Sequence, residues 1–264
     1  MRGVNTHEAN SKAILDTEYQ RLGLPMTHGV SADKVVDESA KLELADYVYS
    51  CSPIMTKSYL ENGIAPRKIL QTSYGFSADY LLDSAYMASP QPTFIFVGSI
   101  DIRKGVHLLL NYWVKANVDA KLKLVGKIDD AIKPLVNEYL NQHNIEHIAF
   151  TSDLPSIYKS ADVFILPSLE EGSPLVTYLA FGASLPCLVS PMGAGGVVTD
   201  GVEGMVIDPH DTDKWIKALQ TMAGDIQLRK KFSVNARYKA DLYTWDKVGK
   251  QRLASLISAE KNIQ

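Results

Sequence analysis

The sequence predicts an α/β protein built on a parallel sheet, and three observations carry that prediction. Short apolar runs recur from residue 92 onward: TFIFVGS (93–99), KLKLVGK (121–127), ADVFILP (161–167) and LPCLVS (185–190). All but KLKLVGK, whose first residues alternate lysine with leucine, are continuous apolar runs, the pattern of strands buried on both faces. Between them lie stretches with helical spacing, which makes the strands parallel and sets helices on the faces of the sheet.

Before residue 92 the alternation is thinner. Helices are expected over roughly 7–22 and 32–44, then a strand at YVYSCS (47–52), a helix from Met55 to Asn62 and a strand at KILQTSYG (68–75). Two strands are too few for a stable sheet of their own. Residues 76–92, FSADYLLDSAYMASPQP, close on two prolines and read as a linker.

After TFIFVGS a helix is expected from about Lys104, with Val106, Leu109, Leu110 and Val114 on one face. The strand KLKLVGK, a helix over 131–142, a strand at HIAF (147–150) and a short helix near Ser156 follow. ADVFILP then leads into a helix from Leu175 to Phe181, and LPCLVS and EGMVID (203–208) supply two more strands. Beyond Asp211 the chain reads helical, with Trp215 and Leu219 on one face and Trp245, Val248 and Leu253 recurring later. The expected division is a partial front with its linker over 1–90, a main unit over 91–242 and a closing helix over 243–264.

Composition narrows the function classes. Of 264 residues, 46% are apolar and 22% charged, the balance of a globular protein. The 27 basic and 30 acidic side chains give a net charge of −3, which argues against a nucleic-acid surface. Cys51 and Cys187, the two cysteines, are too few for a disulfide framework or a four-cysteine zinc site, so a reduced cytoplasmic setting is expected. No run approaches the ~20 apolar residues of a membrane span, and the polar start does not read as a secretory signal.

Several tempting motifs fail on context. HNIEH (143–147) matches a zinc-protease string, but it straddles a helix end and a strand entry, so His143 and His147 diverge. Asp211-Thr212-Asp213 sits where a helix starts, and an aspartate there caps free backbone amides. GAGG (193–196) lacks the spacing of a phosphate-cradling loop.

Two segments remain. GSIDIRKG (98–105) joins a strand's carboxyl end to a helix, where open α/β sheets bind ligands and helix starts attract anions. Arg103 and Lys104 add positive charge, which makes a phosphate site sensible; the bland reading is a solvated basic pair. LPSLEEGSPLVTYLAFGASLP (166–186) repeats that geometry with an acidic turn. Glu171 there can accept hydrogen bonds from sugar hydroxyls, and the amides of Leu175 and Val176 can hold phosphate. The bland reading is that Glu170 and Glu171 merely cap the helix.

In this order and spacing, the two segments resemble the nucleotide-sugar half of family 4 glycosyltransferases. VG and KG around residues 97–105, ADVFILPS with EG at 171–172, and DGVEGMVIDP (200–209) carry the likeness. The resemblance implies the GT-B architecture: a complete carboxyl-terminal Rossmann-like domain, with residues 1–75 matching only the later part of an amino-terminal one. It implies a glycosyltransferase that moves a sugar, with retention, from a nucleotide-diphosphate sugar to a hydroxyl acceptor, glycan or lipid-linked. No metal and no cofactor besides the co-substrate is implied, and the expected setting is cytoplasmic, with contact to the inner face of a membrane left open.

Residue by residue, the resemblance assigns Lys104 to the donor diphosphate and sets Gly98 and Ser99 at the first turn. Ser99 stands where the family often has arginine, and Arg103 is the expected substitute. Glu171, with Gly172 beside it, matches the first of two paired glutamates and is the expected catalytic residue facing the donor sugar. Leu175 and Val176 match backbone phosphate positions. Leu179 stands where the second glutamate of the family holds ribose. This departure, together with the missing opening strands, keeps a second expectation: a non-catalytic nucleotide-binding or partner-binding remnant. A missing amino-terminal half or self-association is expected as the structural partner, and a protease is expected to trim residues 1 to about 90.

Overall fold

The structure, a computed structural model, describes residues 5–81, 86–142 and 144–261. The main sheet begins with β3 (Thr93–Val97) and continues through β4 (Lys121–Val125), β5 (Ile145–Ile148), β6 (Val163–Leu166), β7 (Cys187–Val189) and β8 (Gly204–Val206). All six strands are parallel, in the order β5-β4-β3-β6-β7-β8. The chain thus builds outward from β3 in one direction, returns, and builds outward from β6 in the other. β3 and β6 lie side by side, with Phe94 opposite Val163 and Ile95 opposite Phe164. In an open parallel sheet this reversal opens a crevice at the strands' carboxyl ends.

The continuous apolar runs explain the strands. Phe94, Ile95, Phe96, Val163, Phe164, Ile165 and Leu166 are buried, since helices cover both faces. Each such side chain contributes about 1.5–3 kcal/mol on burial. The covering helices are α4 (Val106–Ala116), α5 (Lys133–Leu140), α6 (Leu154–Lys159), α7 (Leu175–Gly182), α8 (Pro191–Ala194), α9 (Thr212–Gly224) and α10 (Ile226–Ala240). Asp153, Asp211 and Asp225 cap α6, α9 and α10 by accepting from Ser156, Lys214 and Leu228 backbone amides.

The front of the chain supplies α1 (Glu8–Arg21), α2 (Ala32–Leu44), β1 (Val48–Ser50), α3 (Pro53–Glu61) and β2 (Ile69–Gln71). β1 and β2 form a two-stranded parallel sheet with Val48 opposite Ile69. This small sheet does not stand by itself. Tyr19, Leu42, Val48, Met55 and Tyr59 belong to the same buried cluster as the core of the main sheet. The last helix, α11 (Trp245–Lys261), returns to the front, where the Arg252 guanidinium lies near the rings of Tyr49, Tyr74 and Trp245.

Several expectations need correction. The fifth strand is IEHI, two residues earlier than HIAF, and Phe150 is 83% exposed. Its register explains why: Leu122 pairs with Ile145, and Val125 already meets Ile148. Val114 on α4 and Trp245 and Leu253 on α11 are exposed rather than core-facing. Of the two histidines of HNIEH, His147 stands in β5 with its Nε2 at 2.8 Å from the Gly126 carbonyl. His143 and residues 82–85 of the linker lie outside the described residues. Among the described residues, no helix is long and apolar enough to cross a membrane.

Candidate functional site

The loops that leave β3 and β6 meet at the sheet's crevice, and they are the two segments that the sequence singles out. β3 turns at Gly98, and the loop closes at Gly105, which caps α4 with φ of 68°. A side chain at 105 would suffer this left-handed backbone and its Cβ would strike the Pro167 carbonyl. Glycine therefore lets the two loops touch backbone to backbone, and the Leu169 amide donates to the Arg103 carbonyl at 2.8 Å.

That contact sets two cations against two carboxylates. The Lys104 amide donates to Asp101 Oδ1 at 2.8 Å, fixing the turn, and Lys104 Nζ pairs with Glu171 Oε1. Ser168 Oγ donates to the same carboxylate at 3.4 Å. Arg103 Nη1 lies 3.5 Å from Glu170 Oε2 and 3.8 Å from Glu171 Oε2. Glu170 is 1% exposed, and burial pushes its carboxyl above the usual range. Burial also raises Asp101. Neither Glu170 nor Glu171 caps a helix, because α7 starts after them with Pro174 at its N-cap.

The start of α7 has no side-chain cap, and Leu175 is exposed there while Val176 is half-buried. Backbone amides at such an end carry partial positive charge and suit an anion. The structure therefore sets Gly98, Ser99, Arg103 and Lys104 on one side of the crevice and Glu171, Gly172, Leu175 and Val176 on the other. Leu179 follows Leu175 by one turn of α7 and is 7% exposed within the core cluster.

Sequence reasoning missed the front's share of the site. Glu170 Oε1 accepts from the Thr6 amide at 3.3 Å and from Thr6 Oγ1 at 2.8 Å. Ser52 Oγ donates to the Gly172 carbonyl at 2.5 Å. Further along α1, Glu18 Oε1 meets His107 Nε2 and Arg21 Nη2, each at 2.6 Å. Apart from Glu18 with Arg21, which are i,i+3 neighbours on α1, no local pattern announces these pairs, because their partners lie in distant segments.

Comparison with known proteins agrees with this fold. The sequence model described as glycosyl transferases group 1 matches residues 86–239. A UDP-Gal:alpha-D-GlcNAc-diphosphoundecaprenol alpha-1,3-galactosyltransferase of Escherichia coli is 29% identical over 150 residues, 56% of this chain and 32% of that relative. A D-inositol 3-phosphate glycosyltransferase of Salinispora arenicola is 34% identical over 98 residues, 36% of this chain and 21% of that relative. The matches thus span a third or less of these relatives' lengths. Among solved structures, sucrose-phosphate synthase from Thermosynechococcus elongatus superposes with a TM-score of 0.77 at 22% identity, over 95% of this chain and 67% of that one. Anabaena HepE in complex with UDP and glucose superposes with a TM-score of 0.75 at 17% identity, over 86% of this chain and 68% of that one.

Proposed function

The chain belongs to the group 1 glycosyl transferases, and from that premise we propose that it binds a nucleoside-diphosphate sugar between residues 98–105 and 171–176 and transfers the sugar to a hydroxyl acceptor with retention. The observation that carries this reading is the meeting of Lys104, Arg103 and the uncapped start of α7 at the sheet's reversal. In the transfer, the bond from the anomeric carbon to the diphosphate oxygen breaks, the acceptor oxygen bonds that carbon on the same face, and the acceptor's hydroxyl proton leaves with the diphosphate. The departing diphosphate gathers negative charge. Lys104, Arg103 and the amides of Leu175 and Val176 stand at the crevice to stabilise it, the two cations once they leave their carboxylate partners. Glu171 takes the sugar hydroxyls, and no metal enters the scheme.

The acceptor belongs on the side of α1. A cavity of about 380 Å³ there is lined by Ala13, Ile14, Thr17, Glu18, Leu169 and His210. It abuts the acidic loop through Leu169 and offers the exposed His210 imidazole to a hydroxyl-bearing ligand. The Escherichia coli relative is named for a diphosphoundecaprenol-linked acceptor, so a lipid-linked glycan at the inner face of a membrane is the acceptor class we put first.

The second reading is a nucleotide-binding remnant without catalysis, favoured by buried Leu179 at the ribose position. The experiment is titration of the purified chain with UDP, followed by a test for UDP release from UDP-glucose and UDP-galactose. Binding with release supports the enzyme, binding alone supports the remnant, and no binding overturns both.

A further inference from the structure

We infer that Glu170 is a positioning residue that holds Arg103 away from the diphosphate in the ligand-free protein and yields it when the donor enters. This rests on the diphosphate reading above and adds a competition to it. Three observations point the same way.

The first is that Glu170 is anchored while Arg103 is not. The Thr6 amide and hydroxyl both donate to Glu170 Oε1, at 3.3 and 2.8 Å, and the residue is almost wholly buried. Its side chain cannot follow a departing partner. The Arg103 side chain is 30% exposed and reaches Glu170 Oε2 at 3.5 Å, the long end of a hydrogen bond. The mobile member of the pair is the arginine.

The second is that Oε2 is the oxygen left for Arg103, because Thr6 occupies Oε1. The two Thr6 donors draw charge from the carboxylate and weaken its grip on the guanidinium. A diphosphate offers more negative charge and the paired oxygens that a planar guanidinium binds in forked fashion. Arg103 therefore exchanges a long contact with Glu170, and a still longer one with Glu171, for a stronger phosphate one.

The third is that the anchor comes from the front of the chain. Thr6 precedes α1 and lies 164 residues from Glu170. The front thereby adjusts how readily the donor loop surrenders its arginine. Burial, which raises the Glu170 carboxyl, adds to the same loosening.

The test is calorimetric titration with UDP, using uridine, which lacks the phosphates, as the control. Glu170→Gln keeps the shape and an oxygen for Thr6 but removes the charge. It is expected to tighten UDP about 5-fold and to leave uridine unchanged. In an Arg103→Gln background the gain is expected to vanish, as a double-mutant cycle on a coupled pair requires. Thr6→Val reads the same competition from the other side, and also serves if Glu170→Gln fails to fold. With one donor gone, Glu170 grips Arg103 harder and UDP binds about 2-fold more weakly. The Thr6→Val loss is likewise expected to vanish in the Arg103→Gln background, whereas a merely structural role would weaken UDP in both variants whether or not Arg103 is present. Wild-type binding of UDP with no gain in Glu170→Gln, a gain shared by uridine, or a gain that survives Arg103→Gln overturns the inference alone. UDP that fails to bind the wild type overturns the diphosphate reading and this inference with it.

Discussion

Glu18 on α1 and His107 on α4 share a hydrogen bond of 2.6 Å across 89 residues of sequence. Burial works to raise the Glu18 carboxyl, but hydrogen bonds from His107 and Arg21 outweigh it and bring the pKa to about 2, from an ordinary 4.5. Because the folded value lies below the unfolded one, the stabilisation is complete above about pH 4.5 and is lost as pH falls toward 2. Glu18→Gln is therefore expected to cost about 2 kcal/mol at pH 7. The gap from wild type should shrink by pH 3. Urea unfolding of both proteins at the two pH values measures this, and a gap that stays constant would refute the assignment.

Lys104→Ala removes the cation that stands nearest Glu171 at the crevice. A charge-assisted hydrogen bond is worth about 1.5–3 kcal/mol, so UDP is expected to bind about 10-fold more weakly or worse. Part of that loss is offset, because free Lys104 must first leave Glu171. Calorimetry that returns equal affinities would move the diphosphate away from residues 98–105.

The contrast between these two pairs shows what the sequence could disclose. GSIDIRKG and the EG turn were legible because each joins a strand to a helix within a few residues. Strand burial was legible too, since runs such as TFIFVGS leave no polar face to solvent. The strand order was not, for nothing local says that β6 returns to lie beside β3. The same holds for Thr6 with Glu170 and Ser52 with Gly172, whose ordinary residue types acquire meaning only through packing. HIAF misled for a related reason: Phe150 looks like a strand residue, but β4 has already run out of partners at Val125.

Leu179→Glu asks whether the ribose position can be restored. Leu179 is buried in the core cluster, where an unpartnered carboxylate is driven to its protonated form and even a neutral polar group without a partner costs about 2–7 kcal/mol. The expected outcome is a lower melting temperature and no gain in UDP affinity. A variant that melts like wild type and binds UDP more tightly would show that this face of α7 does open onto the ribose.

The last prediction concerns how firmly the front is held. The sequence alone suggests that a protease trims residues 1 to about 90, as an incomplete sheet would allow. The packing argues otherwise. Thr6 bonds to Glu170, Ser52 to Gly172 and Glu18 to His107, while α11 closes over β1 and β2 from the other side. Arg252 is the pin of that closure. Its guanidinium lies 5.4–5.9 Å from the ring centres of Trp245, Tyr49 and Tyr74, and it donates to Ser73 O at 2.5 Å and Thr72 Oγ1 at 3.2 Å. Cation–π contacts of this kind are worth about 0.5–2 kcal/mol each, and a hydrogen bond from a charged group about 1.5–3 kcal/mol. Arg252→Ala is therefore expected to free α11, leaving the core of the main sheet intact. Cleavage should then begin in α11 and around β1–β2, at least 10-fold faster than in wild type, where opening of this region is rare. Mass spectrometry of a timed digest reads the cut sites. Equal trimming of residues 1–90 in both proteins would mean that the front is held neither by α11 nor by its bonds to the donor loops.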